Sequence, residues 1–373
     1  MGATAKRLLW ADLIRIVAIY CVILIHLCAL IVIPWEKFGT VSWWTAHIYS
    51  SLSLVAVPFL ALLSGALLLT KVESIQTFYE KRFVKIIIPW IFWVIFTLFV
   101  DTFIFHKISV HLLGSLHTWW QYLRTAYWFM PALMQLYILT PAIRIVFVKV
   151  PLAWMLCTGL LVQLLISAQY SYCTLSVQCQ PLWLFSGVEY LGYFLIGGVI
   201  GGMDGSKDNN IQVAVVFLSP IIQKVLHSIK LLILVGVWCI SFLWIVFGTY
   251  DLSLAQQGFS AKLYHYTSLP VALASICSFI FLKNYFEYFS SLKQCHIHNY
   301  RKIITELSTN SFSIFFIHGV VLTTLLYFLG NNFVSVLLFA SWCTIPILSI
   351  FLFLFSFVVV RLLQKIIFLK YIV

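Results

Sequence analysis

The chain has 373 residues, of which 62% are hydrophobic and only 9% are charged. About a quarter of the residues of a soluble globular domain are charged, so this composition excludes a soluble globule and indicates a polytopic helical membrane protein. The net charge of +12 would fit a nucleic-acid-binding protein only if the basic residues formed a patch. The 23 lysines and arginines are instead scattered at the ends of apolar runs, so we expect no nucleic-acid partner.

About ten apolar runs reach the length needed to cross a membrane, roughly 18 residues or more. The first run should remain as a helix rather than be cleaved as a signal peptide. A further stretch, 211–230, is too short to span and is interpreted as interfacial or re-entrant. We therefore predict an all-α fold, a polytopic membrane helix bundle of about ten transmembrane helices, in a single domain over residues 1–373. The predicted spans lie near 13–33, 48–70, 86–105, 126–147, 152–168, 184–202, 231–249, 265–282, 310–329 and 333–360.

The lysines and arginines also predict the orientation of the bundle. If the N-terminus is cytoplasmic, most of the basic residues fall on the cytoplasmic side of the membrane, and the exceptions are Lys37, Lys107, Arg124 and Lys262. The positive-inside rule then places both termini in the cytoplasm.

Asp12, Arg15 and His26 form a polar column on the first apolar run. At about 100° per residue, the steps from Arg15 to His26 turn the side chain only ~20° past whole turns while the helix rises roughly 16 Å. Ionisable groups at that depth are costly and are commonly functional. Two structural alternatives remain open: Arg15 is a positive-inside anchor paired with Asp12, and His26 makes an interhelical hydrogen bond.

A basic cluster, Lys81, Arg82 and Lys85, precedes the third predicted span. Arg82 and Lys85 are three residues apart, so on a helix they point the same way and are suited to clamping a phosphate. A topology signal is the alternative.

Three further residues stand in or beside later spans. Glu189 lies near the outer end of the sixth span and needs a partner or water, and His318 is a second intramembrane imidazole. Trp128 is typical of the aromatic belt at a membrane surface.

Cys173 and Cys179 are the cysteines that fall in a predicted outer loop, where either a disulfide or free thiols are possible. The remaining spacings of cysteine and histidine do not indicate a metal site.

Six loose motifs occur in an order typical of one family. They are Asp12-x-x-Arg15 with His26, Val57-Pro58-Phe59 with Ser64-Gly65, the basic triple before Pro89, Trp128-Phe129 with Leu136-Tyr137 and Pro141, the segment Gly192-Tyr193-Phe194-Leu195-Ile196-Gly197, and Ser311-x-x-Ile314-x-x-x-His318. Together they resemble the integral-membrane acyltransferase-3 family over essentially the whole chain. Two positions depart from the family pattern: Lys85 replaces an arginine, and Ala126 stands where a histidine often precedes the Trp-Phe pair.

The resemblance implies a multi-pass enzyme of a bacterial cytoplasmic (inner) membrane that moves an acyl group from cytoplasmic acyl-CoA to a hydroxyl of a surface or lipid-linked glycan. Acyl-CoA, which we expect to be acetyl-CoA, is then a co-substrate, and no bound cofactor is expected. By resemblance, Arg15 and His26 are the catalytic pair, and Arg82 and Lys85 are the basic pair that binds the CoA phosphates. We group Asp12 with the catalytic pair and Lys81 with the basic pair. The acceptor positions that we predict are Glu189, Trp128 and His318.

The residue chemistry agrees with this interpretation, because acyl transfer from a thioester to an alcohol needs a base and neutral imidazole suits that role near neutral pH. We predict direct attack by the sugar hydroxyl with His26 as general base, and an acyl-His26 intermediate is the rival mechanism. Arg15 would hold the pantetheine or a phosphate of the donor, or polarise the thioester carbonyl. Two other classes also remain: a transporter or flippase of a lipid-linked sugar, and a sensory or structural membrane protein.

Overall fold

The computed structural model describes residues 8–71, 73–109, 111, 114–115, 117–119, 127–175, 187–203, 220–292 and 297–366. Within these ranges the regular secondary structure is helical, with no strand. In chain order the helices are α1 (Leu9–Val32), α2 (Val41–Ser53), α3 (Ala56–Leu68), α4 (Ile75–Phe99), α5 (Phe129–Lys149), α6 (Leu152–Leu175), α7 (Leu191–Met203), α8 (Pro220–Gln256), α9 (Leu269–Leu292), α10 (Ile297–Leu329), α11 (Asn331–Leu338) and α12 (Ser341–Leu363).

Nine helical segments of the described chain are long and apolar enough to cross a membrane, and Val188–Met203 is a shorter apolar helix. This confirms the predicted all-α polytopic bundle. Helices α2 and α3 together make one span, Val41–Leu68. The span breaks in a turn at Leu54 because Pro58 has no N–H to donate to the Leu54 carbonyl. Pro58 instead lies in the first turn of α3, where a missing N–H does little harm.

Two ends of the bundle can be distinguished by the residues that they carry. The basic end holds Arg15, Arg82 and Arg144, and the opposite end holds Asp101 and Trp128. The positive-inside rule assigns the basic end to the cytoplasm. That assignment stays a prediction, because both terminal segments lie outside the described residues.

Two segments are organised differently from the sequence-based expectation. The run predicted at 333–360 is two helices, α11 and α12, because Ala340 adopts a left-handed conformation with φ of 46° that ends helical geometry between them. Residues 220–230 are the first turns of the 37-residue helix α8 rather than a separate interfacial segment. A helix of that length measures about 55 Å, so it extends well beyond a hydrocarbon core of ~30 Å. Residues 211–219 lie outside the described chain.

Cys173 lies near the C-terminal end of α6, not in a loop, and it is disulfide-bonded. Of the two alternatives for this residue, the free thiol is therefore wrong. Cys179 lies outside the described residues.

Helix α1 is central in the bundle and packs against α2, α3, α9, α10 and α12. Burial differs strongly between inner and peripheral spans: 78% of the most apolar window of Val41–Leu68 is buried, against 17% for Lys230–Gln256. Helix α1 therefore lies among other helices, whereas α8 presents most of its surface outward.

Helices α3 and α7 approach each other closely through glycine. A Cβ atom on Gly65 would collide with the carbonyl oxygen of Phe194, and one on Gly197 would collide with that of Leu62. Small residues permit this approach in membrane bundles, where helix association depends on packing.

Candidate active site

Helices α1 and α10 meet through polar contacts at two depths. Nearer the basic end, the Ser308 hydroxyl donates a hydrogen bond of 2.7 Å to Asp12 Oδ1 and accepts one of 3.0 Å from Arg15 Nη1. Arg15 and Asp12 also form an ion pair of 3.5 Å, with side-chain exposures of 31% and 5%. One serine thus holds both charged groups of the predicted column, while part of Arg15 stays accessible.

At the second depth, the imidazole rings of His26 and His318 lie with their centroids 5.2 Å apart. Both helices rise by about 15–16 Å between their two contacts, as the spacings from Arg15 to His26 and from Ser308 to His318 require. Because both helices pass from the first contact to the second in chain order and rise by nearly the same distance, α1 and α10 run parallel and stay in register.

The tautomer of His318 follows from its hydrogen bond. His318 Nδ1 lies 2.6 Å from the Phe315 carbonyl oxygen. A carbonyl oxygen only accepts, so Nδ1 carries the proton, and in a neutral ring Nε2 keeps its lone pair. His318 itself is buried, whereas His26 is exposed.

Both imidazoles line a cavity of about 450 Å³, which lies within the range of ~300–1,000 Å³ typical of small-molecule sites. The cavity extends from the imidazoles toward the opposite end of the bundle, where Trp128 lines it. Asp12 and Arg15 do not line it. Its wall is largely apolar and aromatic, and the most polar side chains in it are His26, Thr97, Asp101, Tyr127, Tyr266, His318 and Thr323.

Asp101 is a cavity residue that the sequence analysis missed. It lies in a π-helical turn, Val100–Ile104, that follows α4 directly, and its carboxylate forms an ion pair of 3.5 Å with Lys107. An acid inside a predicted span, here 86–105, was the signal that could have identified it.

Aromatic side chains form the cavity wall near Asp101. The Tyr127 hydroxyl is 2.8 Å from the Thr97 hydroxyl and donates to the Phe316 carbonyl at 3.2 Å. Trp128 stacks on Tyr266 with ring centroids 5.5 Å apart and an interplanar angle of 16°. The wall is therefore held by hydrogen bonds and stacking.

At the basic end, four cations surround Glu73. Arg82 Nη1 lies 2.8 Å from Glu73 Oε1, and Arg144 Nη2 lies 3.4 Å from the same oxygen. Lys71 and Lys81 lie 3.5 and 3.7 Å from Oε2. Sequence analysis missed both Glu73 and Arg144. A cation inside the predicted span 126–147 was a signal for Arg144, whereas nothing in the sequence marked Glu73.

The surroundings of Glu73 hold it in the ionised form. Burial alone would raise its pKa, but the charge and hydrogen bond of Arg82, together with Lys71 and Arg144, hold the pKa of this carboxyl below its ordinary value. Arg144 Nε also donates to the Leu68 carbonyl at 2.8 Å, which ties the cluster to the end of α3. The cluster is therefore both a structural junction and a surface with a net positive charge.

Two predicted site residues lie apart from these groups. Lys85 is exposed and forms no ion pair with the residues that the structure describes. Glu189 is half-buried in the 3-10 turn Val188–Tyr190 and does not line the cavity. Among the described residues, no group of three His, Cys, Asp or Glu side chains is arranged to hold a metal ion.

Replacing Glu73 with glutamine should destabilise the protein by roughly 2 kcal/mol, because four cations lose the carboxylate that they share. Thermal unfolding of the purified protein in detergent measures this effect. Glu80→Gln is the matched control, since Glu80 is exposed and bonded to Gln76. Equal melting temperatures for the two variants would contradict the expectation.

The same comparison has a predicted pH dependence. Because the pKa of folded Glu73 is lowered from its ordinary value of 4.5, its stabilising effect is fully present above that value. The effect is lost as the pH falls through the lowered pKa, so wild type and Glu73→Gln should converge in acid.

Nearly the whole chain matches one known protein family. A family model described as an acyltransferase domain, that of the acyltransferase-3 family, matches residues 8–361. Searches of curated proteins and of solved structures return no significant match. The matched range includes both polar contacts of α1, the cavity and the Glu73 cluster. The chain therefore belongs to the acyltransferase-3 family of membrane acyltransferases.

Proposed function

We propose that the protein is a membrane O-acyltransferase that moves an acyl group, here taken as acetyl, from cytoplasmic acyl-CoA to a hydroxyl of a surface or lipid-linked glycan. The observation that carries this proposal is His26, an imidazole exposed to a cavity of about 450 Å³ inside a membrane bundle. Within the family, the motifs resemble the inner-membrane O-acetyltransferase of enterobacterial common antigen. That resemblance supports acetyl as the acyl group and a bacterial cytoplasmic membrane as the location.

The acyl donor is proposed to bind from the basic end. Lys81 and Lys85 are exposed there, and the partly exposed Arg15 lies between that surface and His26 along α1. Acyl-CoA is too charged to cross a bilayer, so its phosphates stay at the basic surface. Its thin pantetheine arm then extends inward by roughly 16 Å, the helical rise from Arg15 to His26. This distance favours a donor-binding role for Arg15 over contact with the reacting carbonyl.

The acceptor hydroxyl oxygen attacks the carbonyl carbon of the thioester while His26 takes the hydroxyl proton. The carbon–sulfur bond breaks, and the departing thiolate takes up a proton, so the products are an ester and free CoA thiol. In the rival mechanism, a His26 nitrogen attacks first and an acyl-His26 intermediate forms.

His318 is suited to orienting these groups. With its proton on Nδ1 and bound to the Phe315 carbonyl, its Nε2 can accept a hydrogen bond from an acceptor hydroxyl. This geometry supports the predicted acceptor-binding role and leaves proton removal to His26.

A transporter or flippase would also be a polytopic bundle, but family membership gives that alternative no support. A sensory or structural protein would not consume acyl-CoA. Turnover of acyl-CoA by the purified protein therefore separates the enzyme from both alternatives.

His26→Ala should lower acyl transfer by about 10²–10⁴-fold, the usual loss when a general base is removed. The rate is measured with labelled acetyl-CoA and glycan-containing membranes. His111→Ala is the control, because His111 is exposed and does not line the cavity. Normal transfer by a correctly inserted His26→Ala protein would refute the assignment of the base.

Changing Arg82 and Lys85 together to alanine should raise KM for acyl-CoA by roughly tenfold with a smaller effect on kcat, because these side chains would bind the donor equally in its ground and transition states. Lys149→Ala, an exposed cation at the same end, is the control. Since Arg82 also binds Glu73, Lys85→Ala alone tests donor binding without disturbing that cluster. An unchanged KM for acyl-CoA in both variants would mean that the basic cluster of Lys81, Arg82 and Lys85 is only a topology signal.

Transfer should also depend on the side of the membrane. In sealed inside-out vesicles, the reaction should require acyl-CoA outside and the glycan acceptor inside, because the basic end faces the cytoplasm in the predicted orientation. Labelled product is measured after each substrate is confined to one side. Efficient transfer with both substrates on the cytoplasmic face would refute two-sided access but not the acyltransferase activity.

A further inference from the structure

The cavity beside the two imidazoles carries a carboxylate and an aromatic stack that the bond-making step does not use. We propose that Asp101 and the Trp128–Tyr266 pair form the acceptor subsite, and that this subsite takes an uncharged sugar ring rather than a sugar acid. The inference rests on the proposed function and specifies its acceptor. Asp101 thereby takes the role first predicted for Glu189, which does not line the cavity.

The position of Asp101 depends on the π-helical turn. The Phe105 N–H bonds to the Val100 carbonyl, five residues earlier, at 3.0 Å. This wider turn changes the direction of side chains relative to an α-helix, and such turns are frequent at functional sites. The Asp101 side chain is 14% exposed and lines the cavity while pairing with Lys107. An ionised carboxylate offers about four acceptor positions, so it can bind a sugar hydroxyl and keep that ion pair.

Trp128 supplies a fixed apolar surface at the same wall. The residue is 38% exposed, although its ring stacks on Tyr266 and its centroid lies 6.4 Å from that of the Tyr190 ring. The C–H groups on one face of a sugar ring are weakly positive and pack favourably against the negative face of an aromatic ring. A carboxylate and a held indole that line one cavity therefore offer both polar and apolar contacts to a sugar.

The charge of the cavity selects against an acid. Among the described residues that line it there is no lysine or arginine, and Asp101 carries the formal negative charge. Lys107 is 3.5 Å from that carboxylate and offsets a single charge. A second carboxylate, on a sugar acid, would enter the cavity with no further lysine or arginine among the described lining residues to pair with it, which costs free energy.

Space for the ring is present next to His318. A Cβ atom added to Gly319 would meet nothing within 4 Å, and Gly319 lines the cavity. A large side chain at this position would occupy the part of the cavity next to His318 without replacing Asp101 or either imidazole.

Two amphiphiles test the proposal: octyl β-D-glucoside and octyl β-D-glucuronide. Both mimic a lipid-linked sugar. The ring of the first carries a hydroxymethyl group where the ring of the second carries a carboxylate. Their binding to the full-length chain is measured without acyl-CoA, in a detergent that has no sugar headgroup. The glucoside should bind saturably and at least roughly tenfold more tightly than the glucuronide, given the cost of placing like charges together.

Asp101→Asn should weaken glucoside binding by roughly 10–100-fold, the loss expected for a hydrogen bond to a charged group. In this variant the affinities for the glucoside and for the glucuronide should become similar. Trp128→Ala should weaken binding of both probes equally, and Gly319→Leu should weaken binding of both by occupying the space next to His318. Asp251→Asn is the matched control, because Asp251 is an exposed carboxylate near the C-terminal end of α8 that does not line the cavity. It should leave both affinities unchanged.

The proposal is overturned if the wild type shows no saturable glucoside binding, if it binds the glucuronide equally or more tightly, or if Gly319→Leu binds as the wild type does. Acyl-CoA turnover is measured separately on the same preparations. Turnover without glucoside binding rejects the subsite and keeps the enzyme, whereas binding without turnover keeps the subsite and rejects the enzyme.

Discussion

Polar groups inside a membrane bundle have no bulk water to bind, so they must find partners on neighbouring helices. Helices α1 and α10 meet this requirement nearer the basic end, where Ser308 bonds both Asp12 and Arg15. Deeper in the bundle, His318 bonds the Phe315 carbonyl of its own helix, and its ring lies against that of His26. The parallel register of these helices places a charged group near the basic end and an imidazole pair about three turns further in. The arrangement of the proposed donor path and of the cavity depends on this register.

The two ends of the bundle differ in charge and in shape. At the basic end, four cations share Glu73, and the excess positive charge suits an anionic group such as the phosphates of CoA. At the opposite end, the cavity wall is aromatic and apolar around Asp101. This asymmetry suits the proposed transfer from a charged, soluble donor to a glycan acceptor, because each proposed substrate then meets surroundings that fit its own chemistry.

The pattern of apolar residues predicted the helices well because burial in lipid needs long apolar runs and these are visible in the sequence. The prediction of helix boundaries failed where a backbone feature interrupts an apolar run. Residues 333–360 read as one span, but Ala340 divides them through a left-handed conformation that no composition rule indicates. Similarly, the start of α8 looked like a separate segment because its polarity changes, although its backbone hydrogen bonds continue unbroken.

By itself, the sequence determined the all-α membrane class, the family motifs and the shared face of Asp12, Arg15 and His26, because these depend on composition and on the period of one helix. The tertiary structure decided which residues meet across helices. It brought His318 to His26, Ser308 to Arg15, and Asp101 into the cavity, and it turned Arg82 toward Glu73. Such contacts join residues up to 296 positions apart, and they depend on how whole helices pack. No local pattern in the chain contains that information.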